Sequence, residues 1–271
     1  MSLLKRILLC CMFVATVGFP AIQIDATPYS TIQDALDNAV SDDVIVLDAG
    51  TYSGTGNVGL VWPNVQDVTL QGDTSANTIL DGEDTYRIVS QNYPISWQLK
   101  NLTLRRGKSP SIGSSGDNRG GAILIVPNNA NHLVTIDSCI ISGNQAYLGG
   151  AIARQNNEVS SNVVMTNSSV YSNSAAYGGG FYYGTNTIIN GKVYGNSAAD
   201  AGGGFRLATN IITNSEVFGN IAINGGGFTD GTNTLINSKV YGNSASSSGG
   251  GFLYGTNTFT NSSVYGNSSG S

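Results

Sequence analysis

Between Val170 and Asn267 the chain writes one phrase five times: Val, an aromatic ring, Gly or Ser, then Asn. After each of the first four comes a run of small residues that closes on Gly-Gly-Gly-Phe. The Phe positions are 181, 205, 228 and 252, so the steps are 24, 23 and 24; the closing Asn falls at 173, 196, 220, 243 and 267. A strand-rich, Gly-punctuated period of this length predicts a solenoid in which one repeat makes one coil.

Overlaying the repeats gives three Asn columns: Asn186, Asn210, Asn233, Asn257; Asn190, Asn214, Asn237, Asn261; and the Asn196 column. Asn accepts the left-handed backbone of a sharp corner, and its amide can bond to the same amide one coil away. The expectation is a three-sided coil with an Asn at or near each corner, and a small-residue loop (174 to 180, 197 to 204, 221 to 227, 244 to 251) that absorbs the length slips. Strand alternation places Met165, Ile188, Ile212, Leu235 and Phe259 inward, along with Val170, Val193, Val217, Val240 and Val264. Tyr171, Tyr194, Phe218, Tyr241 and Tyr265 then form an outward stripe. Lys192, Glu216 and Lys239 share a column of alternating sign. Proline is absent after Pro127, as interior strands that must each donate to a neighbour require.

Earlier coils are looser. Gly120-Gly121-Ala122-Ile123 and Gly149-Gly150-Ala151-Ile152 repeat at a step of 29. VIVL (44 to 47), DVTLQG (67 to 72), TILDG (78 to 82) and NLTLRRG (101 to 107) read as short strands ending in turns. Over 28 to 43 a short helix is expected to cap the first coil, with Ser30 and Gln33 as a capping box and Ile32, Ala35, Leu36, Ala39 and Val40 on one face. Such a helix would cover an otherwise unpaired edge.

The stretch TIQDALDNAV, VIVLDAGTY, QGD and TILDG resembles the opening of right-handed parallel β-helices of the pectin-lyase-like kind. The GGAI elements and the phrases Ile141 to Asn144, Val170 to Asn173 and Val193 to Asn196 resemble the repeats of polymorphic outer-membrane protein passengers, though the family's Phe in the second motif is Val or Ile here. The resemblance covers residues 28 to 271. It implies an all-β, right-handed parallel β-helix over 44–271, and an adhesin-like, surface-displayed role with a surface protein or carbohydrate as partner.

Composition agrees with an exported β protein whose walls are nearly neutral: 11% of residues are charged and 36 of 271 are Gly. Residues 1 to 21 carry Lys5 and Arg6, an apolar run from Ile7 to Val17, and small residues at Gly18 and Ala21. This predicts a signal peptide, its run being too short to span a bilayer, and hence a secreted or cell-surface protein, outer-membrane association being one form of the latter. Removing it takes Cys10 and Cys11 and leaves Cys139 as the sole thiol, so no intrachain disulfide is expected. Residues 181 to 271 hold three acids and three bases, which excludes the basic stripe of a nucleic-acid binder. No other apolar stretch reaches spanning length, so no membrane insertion by this segment is expected. Ser268 to Ser271 stops inside a repeat, so further coils are expected downstream.

Pectin-lyase-like enzymes are similar in fold, and the resemblance implies carboxylates on neighbouring coils, with an Arg or Lys base, as what an active site would need. The nearest candidates are Asp81, Glu83, Asp84 and Arg87, with Arg105, Arg106 and Lys108 about one coil later; the plain alternative is a solvated turn beside a basic patch. Asp200, Glu216 and Asp230 are the only acids of the repeats and share no column. His132, the only histidine, is placed on a surface loop after Asn131, which excludes histidine-based metal sites and triads. The expectation is therefore a protein without catalytic residues, cofactor or metal. Candidate binding walls are Thr185, Thr187, Thr209, Thr232, Thr234, Thr256 and Thr258, with the tyrosines Tyr194, Tyr241 and Tyr265. If Asn186 points inward, Thr and Ile form a flat lattice that resembles ice-binding solenoids; if Asn186 is a corner, the lattice fails.

Overall fold

The computed structural model describes residues 21–115, 117–126, 132–155 and 161–270. The signal-peptide expectation falls on residues 1–20 and so lies, Ala21 aside, outside the described residues.

The described residues form a parallel β-helix of three sheets with 17, 9 and 5 strands among them. One coil of the repeat region runs through Phe181–Tyr182 and Thr185–Ile189 on the first wall, Lys192–Tyr194 on the second and Ser197–Ala201 on the third. Each strand pairs in parallel with its counterpart one coil on, as Ile188↔Ile212↔Leu235↔Phe259 and Val193↔Val217↔Val240↔Val264 show. The expected inward columns are buried from Met165 and Val170 through Leu235 and Val240; at the last described rung Phe259 and Val264 are exposed. The Phe column is inward too, its rings stacked at centroid distances of 4.8, 4.8 and 4.7 Å. That spacing is the inter-strand distance itself, so in-register rings stack without leaving the ladder.

Three expectations need correction. The small-residue loop is a third wall: Ser174–Tyr177, Ser197–Ala201, Ile221–Asn224 and Ser244–Ser248 pair in parallel, with register shifts that absorb the 23/24 slips. Its Gly triplets close the coil. The first Gly of each takes a left-handed backbone, with φ of +66, +73, +61 and +71° at Gly178, Gly202, Gly225 and Gly249. A Cβ on the second would sit 2.5 Å from the neighbouring coil's carbonyl at Gly179 and 2.4 Å at Gly203, so larger residues would push the coils apart.

The Asn columns differ in kind, where three corners were expected. Asn190, Asn214, Asn237 and Asn261 do turn the corner, with φ between 48 and 53°. Asn186, Asn210, Asn233 and Asn257 lie mid-strand with side chains inward, joined by amide bonds of 3.0, 2.7 and 2.8 Å. The Asn196 column follows a left-handed residue, Gly195 at φ +59° in its own coil, and is also buried. There Asn144, Asn173, Asn196, Asn220 and Asn243 each donate to the next amide at 2.9 Å, the column ending at Asn267. Backbone N–H groups donate to the same oxygens at 3.0–3.1 Å, and Asn220 Nδ2 donates to the Val193 carbonyl at 3.0 Å. A third ladder was not foreseen. Ser215, Ser238 and Ser262 accept at Oγ from the backbone N–H of Gly191, Ser215 and Ser238, and Ser168 does so from Cys139.

The cap also differs. The helix is Ile32–Asn38, and its N-cap is Thr31, whose hydroxyl accepts from Asp34 N–H; Gln33 instead bonds Val61. Thr31 wins because its hydroxyl stands three residues from a free N–H, while Ser30 bonds the Asp34 carboxylate. Ile32, Ala35, Leu36 and Ala39 are buried, whereas Val40, past the helix end, is 65% exposed. The first coil edge is covered by Ile22–Ile24, pairing antiparallel with Val44–Leu47.

Asn220→Ala removes the acceptor of the Asn196 backbone N–H and side-chain amide and one donor to the Val193 carbonyl. Urea denaturation should show a loss of about 2–5 kcal/mol. Asn190→Ala, at an exposed corner, should cost about 1 kcal/mol. Equal losses would mean that the buried ladder contributes nothing beyond its backbone conformation.

Candidate functional site

Asn186 faces inward, so its neighbours face outward on one wall. Three adjacent columns result: Thr185, Thr209, Thr232, Thr256; Thr187, Ile211, Thr234, Thr258; and Ile189, Thr213, Ile236, Thr260. All twelve are partly or fully exposed, nine are Thr and three are Ile, and none carries a charge. Rungs repeat at the spacing set by the stacked rings, 4.8 Å, and columns stand roughly 7 Å apart along the strand. The Asn186–Asn257 amide ladder lies beneath the seam between the first two columns and fixes their register.

The tyrosine stripe forms as expected on the second wall. Its rings stack at 4.8, 4.8, 4.9 and 5.2 Å with interplanar angles of 14, 1, 2 and 3°. Stacking covers ring faces, so Tyr194 and Tyr241 offer edges and hydroxyls rather than the open face on which a sugar would lie. Burial, followed by the neighbouring Tyr171, raises the Tyr194 pKa; burial, then Glu216 and Tyr265, raises that of Tyr241. Both phenols therefore stay neutral hydrogen-bonding groups. Beside them Lys192, Glu216 and Lys239 alternate in register, with Lys192 Nζ 3.8 Å from Glu216.

The carboxylate candidates are not brought together. Asp81 is buried rather than part of a solvated turn, and its carboxylate accepts from Arg105 Nε and Arg106 Nε, each at 2.8 Å, and from Glu83 N–H at 3.0 Å. Burial opposes its ionisation, but hydrogen bonds from Arg106, the Glu83 N–H and Arg105 outweigh it and hold the pKa below the ordinary carboxylate value. Glu83 and Asp84 are exposed, and only Asp84 approaches a cation, Arg106 at 3.9 Å. Arg87 turns elsewhere, pairing with Asp117, a residue that no motif or spacing singles out. His132 is buried as the first residue of the strand His132–Asp137, not on a surface loop, because that strand's alternation turns it inward. Burial pushes the Cys139 thiol up to about 12, so it stays protonated and unreactive. Among the described residues no group of His, Cys, Asp or Glu is arranged to hold a metal ion, and no helix is long and apolar enough to cross a membrane.

Comparison with protein-family models, with curated proteins and with solved structures returns no match.

Because the Asp81 pKa is depressed on folding, its contribution to stability is present above the unfolded value of about 3.9 and is lost as pH falls through the lower folded value. Asp81→Asn should therefore destabilise the protein at pH 7 in urea titrations. The gap to the parent should shrink at pH 3, while a gap independent of pH would contradict the ion-pair account.

Proposed function

We propose that the protein is an exported, non-catalytic β-helix with a binding or structural role, adhesin-like, that presents the Thr/Ile wall as its contact face. The observation that supports this reading is the inward amide ladder beneath that wall. It fixes twelve uncharged side chains in a plane before any partner arrives, so little side-chain entropy is lost on contact. β-Branched residues add to this, since their χ1 is already restricted. A flat face without a deep pocket suits an extended partner, a surface carbohydrate or protein. The polymorphic outer-membrane protein resemblance and the leader sequence favour display at the cell surface, and the pectin-lyase-like resemblance accounts for the coil architecture.

A second reading is favoured by one observation, the inward orientation of Asn186. It is the condition under which the Thr and Ile columns share a plane, and a rigid array of hydroxyls and methyls can order water as ice does. The enzymatic alternative, a polysaccharide lyase or hydrolase, draws less support: Asp81 is held by two guanidinium groups, and Arg87 belongs to a different cluster.

The test is retention of the purified protein on panels of surface glycans and cell-surface proteins, against Thr234→Tyr, which breaks the plane at its centre. The binding reading predicts retention that falls at least about tenfold in the variant, roughly 1.4 kcal/mol. Thermal hysteresis lost in the same variant would favour ice as the partner. Cleavage of pectin-type polymers that vanishes in Asp81→Ala would overturn the non-catalytic reading.

A further inference from the structure

The corner between the first and second walls carries a chemically labile dipeptide in coil after coil. Asn167-Ser168, Asn190-Gly191, Asn214-Ser215 and Asn237-Ser238 stack there, each Asn exposed and left-handed, with φ of 50, 53, 49 and 51°. Asn is thermolabile because the next residue's backbone nitrogen can attack its side-chain amide, and a small following residue such as Gly or Ser leaves that approach clear.

Attack needs the nitrogen free and its peptide unit able to swing out of place. Three of these corners prevent both. Gly191 N–H donates to Ser215 Oγ at 2.9 Å, Ser215 N–H to Ser238 Oγ at 3.1 Å, and Ser238 N–H to Ser262 Oγ at 3.0 Å. The Asn-Ser and Asn-Gly pairs elsewhere are tied as well: Ser174, Ser197 and Ser244 N–H donate to carbonyls one coil back at 2.9 Å, and Gly225 N–H to the Ser248 carbonyl at 2.8 Å. Asn167 breaks the series. One coil on from Ser168 stands Gly191, which has no hydroxyl, and among the described residues the Ser168 N–H has no acceptor.

From this gap in the serine ladder we infer that Asn167 is a site of spontaneous deamidation, with water as the co-reactant. The Ser168 nitrogen gives its proton to solvent and bonds to Asn167 Cγ. The bond from Cγ to the side-chain nitrogen breaks, ammonia leaves, and a five-membered imide remains. Water then opens the imide at either carbonyl, giving aspartate or isoaspartate. Either product disturbs this corner. Asn167 Nδ2 donates to Asp137 Oδ1 at 3.1 Å, and Asn167 Oδ1 accepts from Asn190 Nδ2 at 3.3 Å. A carboxylate there loses the donor and meets Asp137 as a like charge. Isoaspartate also adds one methylene to the backbone between Thr166 on the first wall and Ser169 on the second. The site rests on the fold alone, and its failure would leave the contact-face reading untouched.

The experiment is incubation of the folded full chain at mildly alkaline pH, followed by proteolysis and mass spectrometry that resolves the Asn, Asp and isoaspartyl forms of each corner peptide. Asn167 should convert at least about fivefold faster than Asn214 and Asn237, which share its dipeptide, and faster than Asn190, because those three must first give up a hydrogen bond. In the chain unfolded by urea the order should change, with Asn190 ahead because Gly follows it. Gly191→Ser supplies the missing hydroxyl and should slow Asn167 to the rate of Asn214. A Cβ at Gly191 would meet Ile188 Cγ2 at 2.6 Å, so that variant needs Ile188 to shift; Ile212 and Ser215 occupy the matching positions one coil on. Ser215→Ala frees the Gly191 N–H and should accelerate Asn190 while leaving Asn167 unchanged. Native conversion at Asn167 no faster than at Asn214 and Asn237, or a rate indifferent to Gly191→Ser in a variant that folds, would overturn the assignment. Should that variant not fold, an Asn190 rate indifferent to Ser215→Ala would overturn it instead.

Discussion

Every coil of the repeat region depends on one interaction, the side-chain amide of a buried Asn bonded to the same amide in the next coil. An amide buried without partners costs free energy, whereas one bonded above and below satisfies donor and acceptor together. In the Asn144–Asn267 column each oxygen also accepts a backbone N–H at the turn, so the ladder does for the corner what the strands do for the walls. A shift of one coil by one residue toward the preceding position would set a Gly or Ser where the amide belongs and orphan several groups at once. Among the described residues register is thereby fixed without a disulfide, and Cys139 sits in the column that carries Ser168, Gly191, Ser215, Ser238 and Ser262.

From this constraint follows the division of labour among the walls. The inner columns of Phe, Ile, Leu and Val supply the apolar burial. The second wall closes with stacked rings, whose mutual contact leaves mainly edges to solvent. The first wall, held from beneath by the Asn186 ladder, can afford an outer face of short, uncharged side chains, because its order does not depend on what those side chains do. That freedom is what makes it available as a contact face.

Much of the architecture was legible in the sequence because side-chain period and coil period act together. A residue type recurring every 23 or 24 positions must stack, and alternation then decides which way it points. Ile188, Val193 and Tyr194 could be placed on that logic alone. Asn defeated it, since the same residue serves as a left-handed corner at Asn190 and as an inward ladder at Asn186, and both uses recur with the same period. The third wall reads as a loop in the sequence because Ser, Ala and Gly carry no apolar alternation. The Arg87–Asp117 pair is hidden by a sequence separation of 30 and by the absence of any repeat there. His132 was misplaced for a related reason: its strand begins after residues whose composition reads as loop.

The inward turn of Asn186 is the claim on which both the ladder and the flat face rest, and cysteine scanning tests it directly. With Cys10 and Cys11 replaced by Ser, single cysteines at 185, 186, 187, 188 and 189 would be exposed to a thiol reagent under native conditions. The account predicts fast labelling at 185, 187 and 189, with protection at 186 as strong as at 188, the core reference. Fast labelling at 186 in a protein that still protects 188 would place Asn186 at a corner, and the shared plane of Thr185 and Thr187 would be lost.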